Sequence, residues 1–164
     1  MLVASSLFVM PVKDTVWWET PGGQVTEHQD DSDRSCSLML YDDAGAVTFK
    51  WIDPGTVLIT AIDWDWQFPD NWKMPVAMQL GDVWLSNRGD SAVIEAVGHG
   101  NAVAFATDRV ADDLLRPADH IAVKTTNGEM SIKLNHAKVD VLLSRARKCR
   151  DAADSVGHPA TSNK

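Results

Sequence analysis

The side chains of this sequence that could take part in binding chemistry are concentrated in residues 57–72, VLITAIDWDWQFPDNW. Its aromatic residues after the apolar start are Trp64, Trp66, Phe68 and Trp72. The polar residues between them include Asp63, Asp65 and Asn71. Ring faces pack on the C–H groups of sugars while carboxylates and amides bind hydroxyls, and exposed tryptophans also anchor protein interfaces. The stretch therefore predicts a binding surface for a protein or a carbohydrate.

The alternation of residue types in this stretch determines which side chains share a face. Residues 57–62 are mainly apolar, and one continuous strand would place the rings at 64, 66 and 68 on one face and the two aspartates on the other. Pro69 lacks the N–H that a strand ladder needs, so Trp72 is expected in a loop. Two interpretations remain open. Either the rings are displayed where the covering of the sheet ends, or Trp64 and Trp66 are core residues and only Trp72 is exposed.

No other group of residues has the spacing of a catalytic or metal site. The five histidines show no HExxH spacing, and Asp63 and Asp65 offer oxygens to calcium without an EF-hand pattern. The GxSxG motif is absent, and neither cysteine belongs to a CxxC pair. We therefore predict no metal, no cofactor and no catalytic residue. A hydrolase that uses His99 and a nearby acid remains the enzymatic alternative.

The charge balance limits the partners. The chain carries 23 acidic and 15 basic residues, a net charge of −8. Such a charge repels phosphate backbones and anionic lipid headgroups, so nucleic acid and membrane surfaces are poor partners. No stretch approaches the roughly 18 apolar residues of a membrane span. The expected partner is a protein with a basic surface.

Two cysteines, Cys36 and Cys149, stand far apart in the chain. A disulfide between them would close almost the whole fold and would indicate an oxidising compartment, hence a periplasmic or secreted protein. The alternative is a pair of unrelated buried thiols in a cytoplasmic protein. The N-terminal MLVASSLFVMPV is either the remnant of an export signal or a first strand.

Short alternating segments separated by turn residues recur along the chain. The expected strands are residues 16–19, 25–28, 36–42, 46–52, 57–68, 75–80, 83–86, 91–97, 102–107, 120–125 and 129–134. NRGD, residues 87–90, is expected to be a turn, and Asn127-Gly128 a hairpin turn. The pattern is that of an antiparallel β-sandwich or barrel-like sheet.

Two helices are expected in the second half. Residues 108–119 begin with a capping residue and end near Pro117, which predicts one short helix. Residues 137–153 place Val139, Leu142, Leu143, Ala146 and Cys149 on one stripe, which predicts a C-terminal amphipathic helix. We expect one β-rich domain over residues 1–154 and a flexible tail over 155–164.

The layout from residue 36 to 149 resembles a known family. The CSLMLYD strand, the LLRPAD turn, the NG hairpin and a terminal helix ending in a cysteine are similar in arrangement to the invasion-associated locus B family of small exported proteobacterial proteins. The resemblance implies a periplasmic or surface β-sandwich protein without an assigned activity. It carries no catalytic residue over to this chain.

These observations favour a non-enzymatic, exported binding protein that recognises a protein partner through the tryptophan-rich acidic stretch, in the manner of an inhibitor or immunity protein. A periplasmic module that binds a carbohydrate or cell-wall ligand is the alternative.

Overall fold

Most of the segments with alternating apolar and polar residues form β-strands. The computed structural model describes residues 13–30, 33–53, 55–69, 73–92, 101–108 and 111–157. Within that part, the strands are β1 (Lys13–Thr20), β2 (Gly23–Gln29), β3 (Arg34–Asp42), β4 (Gly45–Asp53), β5 (Thr56–Asp63), β6 (Lys73–Leu80), β7 (Val83–Ala92), β8 (Ala102–Thr107), β9 (His120–Thr125) and β10 (Gly128–Lys133). The helices are α1 (Ala111–Leu115) and α2 (His136–Gly157). The expected mainly β fold with a short helix and a C-terminal helix is confirmed.

All pairings between the strands are antiparallel. The first five strands follow one another as a meander, and the order continues β5-β8-β7-β6-β9-β10. Gly22, Gly81 and Gly128 take positive φ in hairpin turns, where a side chain would be strained. The second half of the sheet returns over the first, because β10 contacts β3 and β4. The arrangement is sandwich-like, with the apolar faces of both halves turned inward.

The inner face is one continuous apolar layer. Its largest fully buried residues come from both halves and include Leu38, Phe49, Ile59, Met74, Met78, Ile121 and Met130. Gly45 shows how closely the halves approach, since an added Cβ there would lie 2.6 Å from the Met130 sulfur. The sandwich therefore has one shared apolar core between its two halves.

Helix α2 packs on the inner side of β1, β2 and β3. The predicted stripe of Val139, Leu142, Leu143, Ala146 and Cys149 is buried. A Cβ on Gly23 would collide with Leu142, so β2 needs glycine where the helix crosses it. The predicted Cys36–Cys149 disulfide is present, with a Cα–Cα distance of 6.1 Å, and it joins β3 to α2.

Helix α1 is shorter than the predicted segment and is tied to α2 by charge. Asp112 is buried, and its Oδ2 accepts hydrogen bonds from Arg150 at 2.8 Å and from Arg147 at 3.4 Å. The guanidinium of Arg150 also lies over the Trp51 ring, 4.2 Å from its centroid. Charge-assisted bonds to a buried carboxylate thus fix the angle between the two helices.

Two expected element bounds differ from the structure, and one expected strand lies outside the described residues. NRGD is not a turn, because residues 87–90 continue β7 and pair with residues 73–76 of β6. Helix α2 reaches Gly157, past residue 155 where the flexible tail was expected to begin. The apolar residues 1–12 lie outside the described residues. Among the helices that are described, none combines the length and the apolarity needed to cross a membrane.

Reduction of the Cys36–Cys149 bond is expected to lower the free energy of unfolding by about 4 to 5 kcal/mol, because the bond restrains a loop of more than a hundred residues in the unfolded chain. Urea unfolding followed by circular dichroism, with and without reductant, measures this. The double variant Cys36→Ala/Cys149→Ala is the control and should not respond to reductant. A loss below about 1 kcal/mol in the wild-type protein would contradict the expectation.

Candidate functional site

The predicted binding stretch changes direction at its first tryptophan. β5 ends at Asp63, whose Oδ1 accepts a hydrogen bond from the Asp65 backbone N–H at 2.8 Å. The Asp63 carbonyl accepts a second bond from the Trp66 N–H at 3.2 Å. An aspartate that bonds the N–H two residues later closes a tight turn. Trp64 and Asp65 lie in this turn, and Trp64 is 51% exposed.

Beyond the turn, the rings enter the core. Trp66 is 3% exposed, and Phe68 is also buried, with its ring centroid 5.4 Å from that of Trp66. The Asn127 side chain donates a hydrogen bond to the Gln67 carbonyl at 2.7 Å and holds the segment against the β9–β10 turn. The expectation that the strand continues to Phe68 is wrong, because the turn at Asp63 breaks the alternation. The interpretation that placed Trp64 and Trp66 in the core is correct for Trp66 and wrong for Trp64, which the turn exposes.

The other predicted site residues do not complete a stacking platform. Asn71, Trp72 and His99 lie outside the described residues, so Trp64 is the one predicted ring that the described part exposes. Trp84, on β7, is 46% exposed and lies under the Lys124 ammonium, 4.9 Å from its ring centroid. The described segments contain no cluster of three or more His, Cys, Asp or Glu side chains suited to a metal ion.

A second aromatic group, which the sequence analysis did not single out, lies on strand β1. Trp17 and Trp18 are adjacent, and they are 37% and 38% exposed. The pairing with β2 shifts between Val16 and Trp18, so Trp17 is the extra residue of a β-bulge. Without the bulge, the strand period would send the two rings to opposite faces.

The contacts of both rings place them on the same side of the sheet. The Trp17 indole N–H donates a hydrogen bond to Glu27 Oε2 at 2.8 Å. Glu27 pairs across the strands with Cys36, whose sulfur is bonded to α2, so this face is the helix side. Arg145 of α2 lies over Trp18, 4.0 Å from its ring centroid. The bulge therefore displays two neighbouring indoles along the edge of α2.

A cavity lies beside Arg34, whose partner Glu27 also binds Trp17. Glu27 is buried, and its Oε1 pairs with Arg34 Nε at 3.0 Å, which links Trp17 to the start of β3. Arg34 and the exposed Ile52 line a cavity of about 370 Å³ with Cys36, Trp51 and Arg150. Asp151 and Asp154 of α2 also line it. The disulfide thus lies at the groove between the sheet and the helix.

We call Trp17, Trp18, Arg34, Ile52 and Arg145 the tryptophan–arginine surface. Tryptophan and arginine are the residue types that contribute most to protein interfaces, because each combines a large contact area with directed polar groups. The described residues include no carboxylate that pairs with Arg145, so its charge is available to a partner. The surface can bury apolar area and bind an acidic group at the same time.

Comparisons with known proteins add no relative. Protein-family models, curated protein sequences and solved structures were all searched, and none matches this chain. The resemblance to the invasion-associated locus B family therefore stays a prediction.

Replacing Trp66 by alanine is expected to cost about 3 to 5 kcal/mol of unfolding free energy, because the change leaves a large cavity in the core. Replacing Trp64 by alanine is the matched control and should stay within about 0.5 kcal/mol of the wild-type protein, because its ring lies in an exposed turn. Urea unfolding of both variants gives the comparison. Equal losses would show that our assignment of the two rings is wrong.

Proposed function

We propose that this protein is an exported binding protein that docks a partner protein on the tryptophan–arginine surface. The observation that carries the proposal is the bulge at Trp17, which brings two indoles together beside Arg145. A strand with regular alternation would hide one ring and expose the other. With the bulge, both indoles keep more than a third of their surface exposed.

The two rings would contribute part of the energy of recognition. Covering the exposed part of each indole would contribute on the order of 1.5 to 2 kcal/mol. The rings are already held in place, Trp17 by its bond to Glu27 and Trp18 by Arg145. Because the two rings are already ordered, they lose less side-chain entropy when a partner binds. A pair of such anchors is typical of an interface centre.

The charges favour a particular kind of partner. Over the whole molecule, the net charge of −8 attracts a basic protein, as the sequence predicts. At the surface itself, the Arg145 charge favours a partner whose contact patch carries a carboxylate next to apolar side chains. An inhibitor or immunity protein, which covers a functional surface of its target, is one form that this binding would take.

Export is inferred from the disulfide. Structural disulfides persist in oxidising compartments and are rare where thioredoxin and glutathione keep thiols reduced. The bonded Cys36 and Cys149 therefore favour the periplasm or the exterior over the cytoplasm.

Alanine at Trp18 is expected to weaken partner binding at least tenfold, because it removes an interface anchor that holds Arg145. Immobilised wild-type protein captures partners from a cell-envelope extract, and calorimetry then measures the affinity of each purified partner for wild-type, Trp17→Ala and Trp18→Ala proteins. Trp84→Ala is the matched control, because Trp84 is also an exposed strand tryptophan under a cation. It should bind like the wild type. Unchanged affinity of both Trp17→Ala and Trp18→Ala for every captured partner would refute the proposal.

A further inference from the structure

Three polar side chains form a hydrogen-bonded chain on the outer face of the sheet. His28 Nδ1 lies 2.8 Å from Asp14 Oδ1, and His28 Nε2 lies 2.8 Å from Ser37 Oγ. Asp14 is on β1, His28 on β2 and Ser37 on β3. The order carboxylate, imidazole, hydroxyl is the hydrogen-bonding order of a nucleophilic serine triad, which is recognised by geometry and not by sequence position.

The chemistry of the three groups determines where the protons lie. An ionised carboxylate only accepts, so the bond to Asp14 requires that His28 Nδ1–H donates it. In a neutral imidazole, the other nitrogen is then the acceptor, and the Ser37 hydroxyl donates to Nε2. This tautomer is the one in which a histidine can remove the serine proton.

The strand register explains why the three groups meet. Asp14 and His28 are directly opposite in the β1–β2 pair. Ser37 is opposite Thr26, two residues before His28 on β2, so the imidazole reaches Ser37 diagonally. Residues two apart on a strand share a face. No sequence motif signals this group, because its three members lie on separate strands.

A cavity adjoins the group. It has a volume of about 240 Å³, and its lining includes His28, Lys50, Ile52 and Leu58. Asp30, Asp33 and Ser35 also line it. Lys50 is opposite Ser37 in the β3–β4 pair. Among the described residues, no carboxylate pairs with the Lys50 ammonium. Ser37 itself is 5% exposed and meets the cavity through His28, which lines it.

We propose that Ser37 and His28 are the nucleophile and the general base of an acyl-transfer site for small carboxylic esters, with Asp14 as the positioning residue. The cavity would hold the acyl group against Ile52 and Leu58. The Lys50 ammonium would face the oxygen that becomes negative during attack, where a positive charge stabilises the intermediate. This activity goes beyond the binding function. His28 and Ser37 lie on the face of the sheet opposite Trp17 and Trp18, and Ile52 lines the cavities on both sides.

The reaction is balanced with water as the second substrate. Ser37 Oγ bonds to the ester carbonyl carbon while its proton passes to His28 Nε2. The bond from that carbon to the leaving oxygen breaks, and the alkoxide takes the proton from His28 and leaves as an alcohol. Water then attacks the acyl-Ser37 ester and gives a proton to His28. The carboxylic acid leaves, and Ser37 regains its proton.

Labelling with diisopropyl fluorophosphate tests the nucleophile in the intact protein. The Ser37 oxygen would bond to phosphorus, fluoride would leave, and peptide mass spectrometry would locate the adduct. We expect an adduct on Ser37 that forms at least about a hundredfold more slowly in His28→Ala, since general-base help has been removed. His136→Ala is the control for loss of an exposed histidine and should label like the wild type. Hydrolysis of p-nitrophenyl acetate should be lost in Ser37→Ala and kept in Ser131→Ala.

The role of Asp14 is tested by rescue. Asp14→Asn should label at least about tenfold more slowly, because the amide can hold the wrong imidazole tautomer, and Asp14→Glu should restore part of the rate. If Asp14 had only a structural role, the two variants would label at the same rate as long as both keep the wild-type melting temperature. Absence of an adduct on Ser37 in the wild-type protein, or equal labelling of Ser37 in wild type and His28→Ala, would overturn the proposal. Neither result bears on partner binding by Trp17 and Trp18.

Discussion

The Cys36–Cys149 disulfide is the constraint on which the arrangement of this protein depends. It joins the third strand to the last helix across 113 residues of sequence, so the loop that it closes contains β4 to β10 and α1, while β1 and β2 precede it. Burial of the apolar stripe of α2 determines which side of the helix meets the sheet, and the bond determines where along β3 it does so. Because Cys36 pairs with Glu27 on one side and with Trp51 on the other, the bond lies at the centre of the groove.

The two faces of the first sheet half differ because of that attachment. On the helix side, α2 covers the apolar residues. Trp17, Trp18 and Arg145 lie at the edge of the area that the helix covers. On the outer side, neither of the two described helices covers β2 or β3, and polar side chains such as His28 and Ser37 bond to each other across the strands. One sheet can thus carry the tryptophan–arginine surface on its helix side and a polar, hydrogen-bonded group on its outer side.

The fold was largely predictable from the sequence, because buried strands and the α2 stripe have a strict period. The candidate site was less predictable, because local turn chemistry overrides the period. Asp63 bonds the Asp65 N–H and ends β5 early, which turns Trp66 into the core. The bulge at Trp17 changes the alternation of β1, which brings two rings to one face. The group of Asp14, His28 and Ser37 depends on strand register, which a single sequence does not specify.

A peptide map of thiol-trapped protein tests the central role of the disulfide most directly. Free thiols are alkylated at the moment of lysis in the cells that make the protein, and the unreduced digest is analysed by mass spectrometry. Our account predicts one cross-linked peptide pair that contains Cys36 and Cys149, with neither cysteine alkylated. Recovery of both cysteines in alkylated, unlinked peptides would contradict it, since the helix would then lack its covalent attachment and the inference of export its basis.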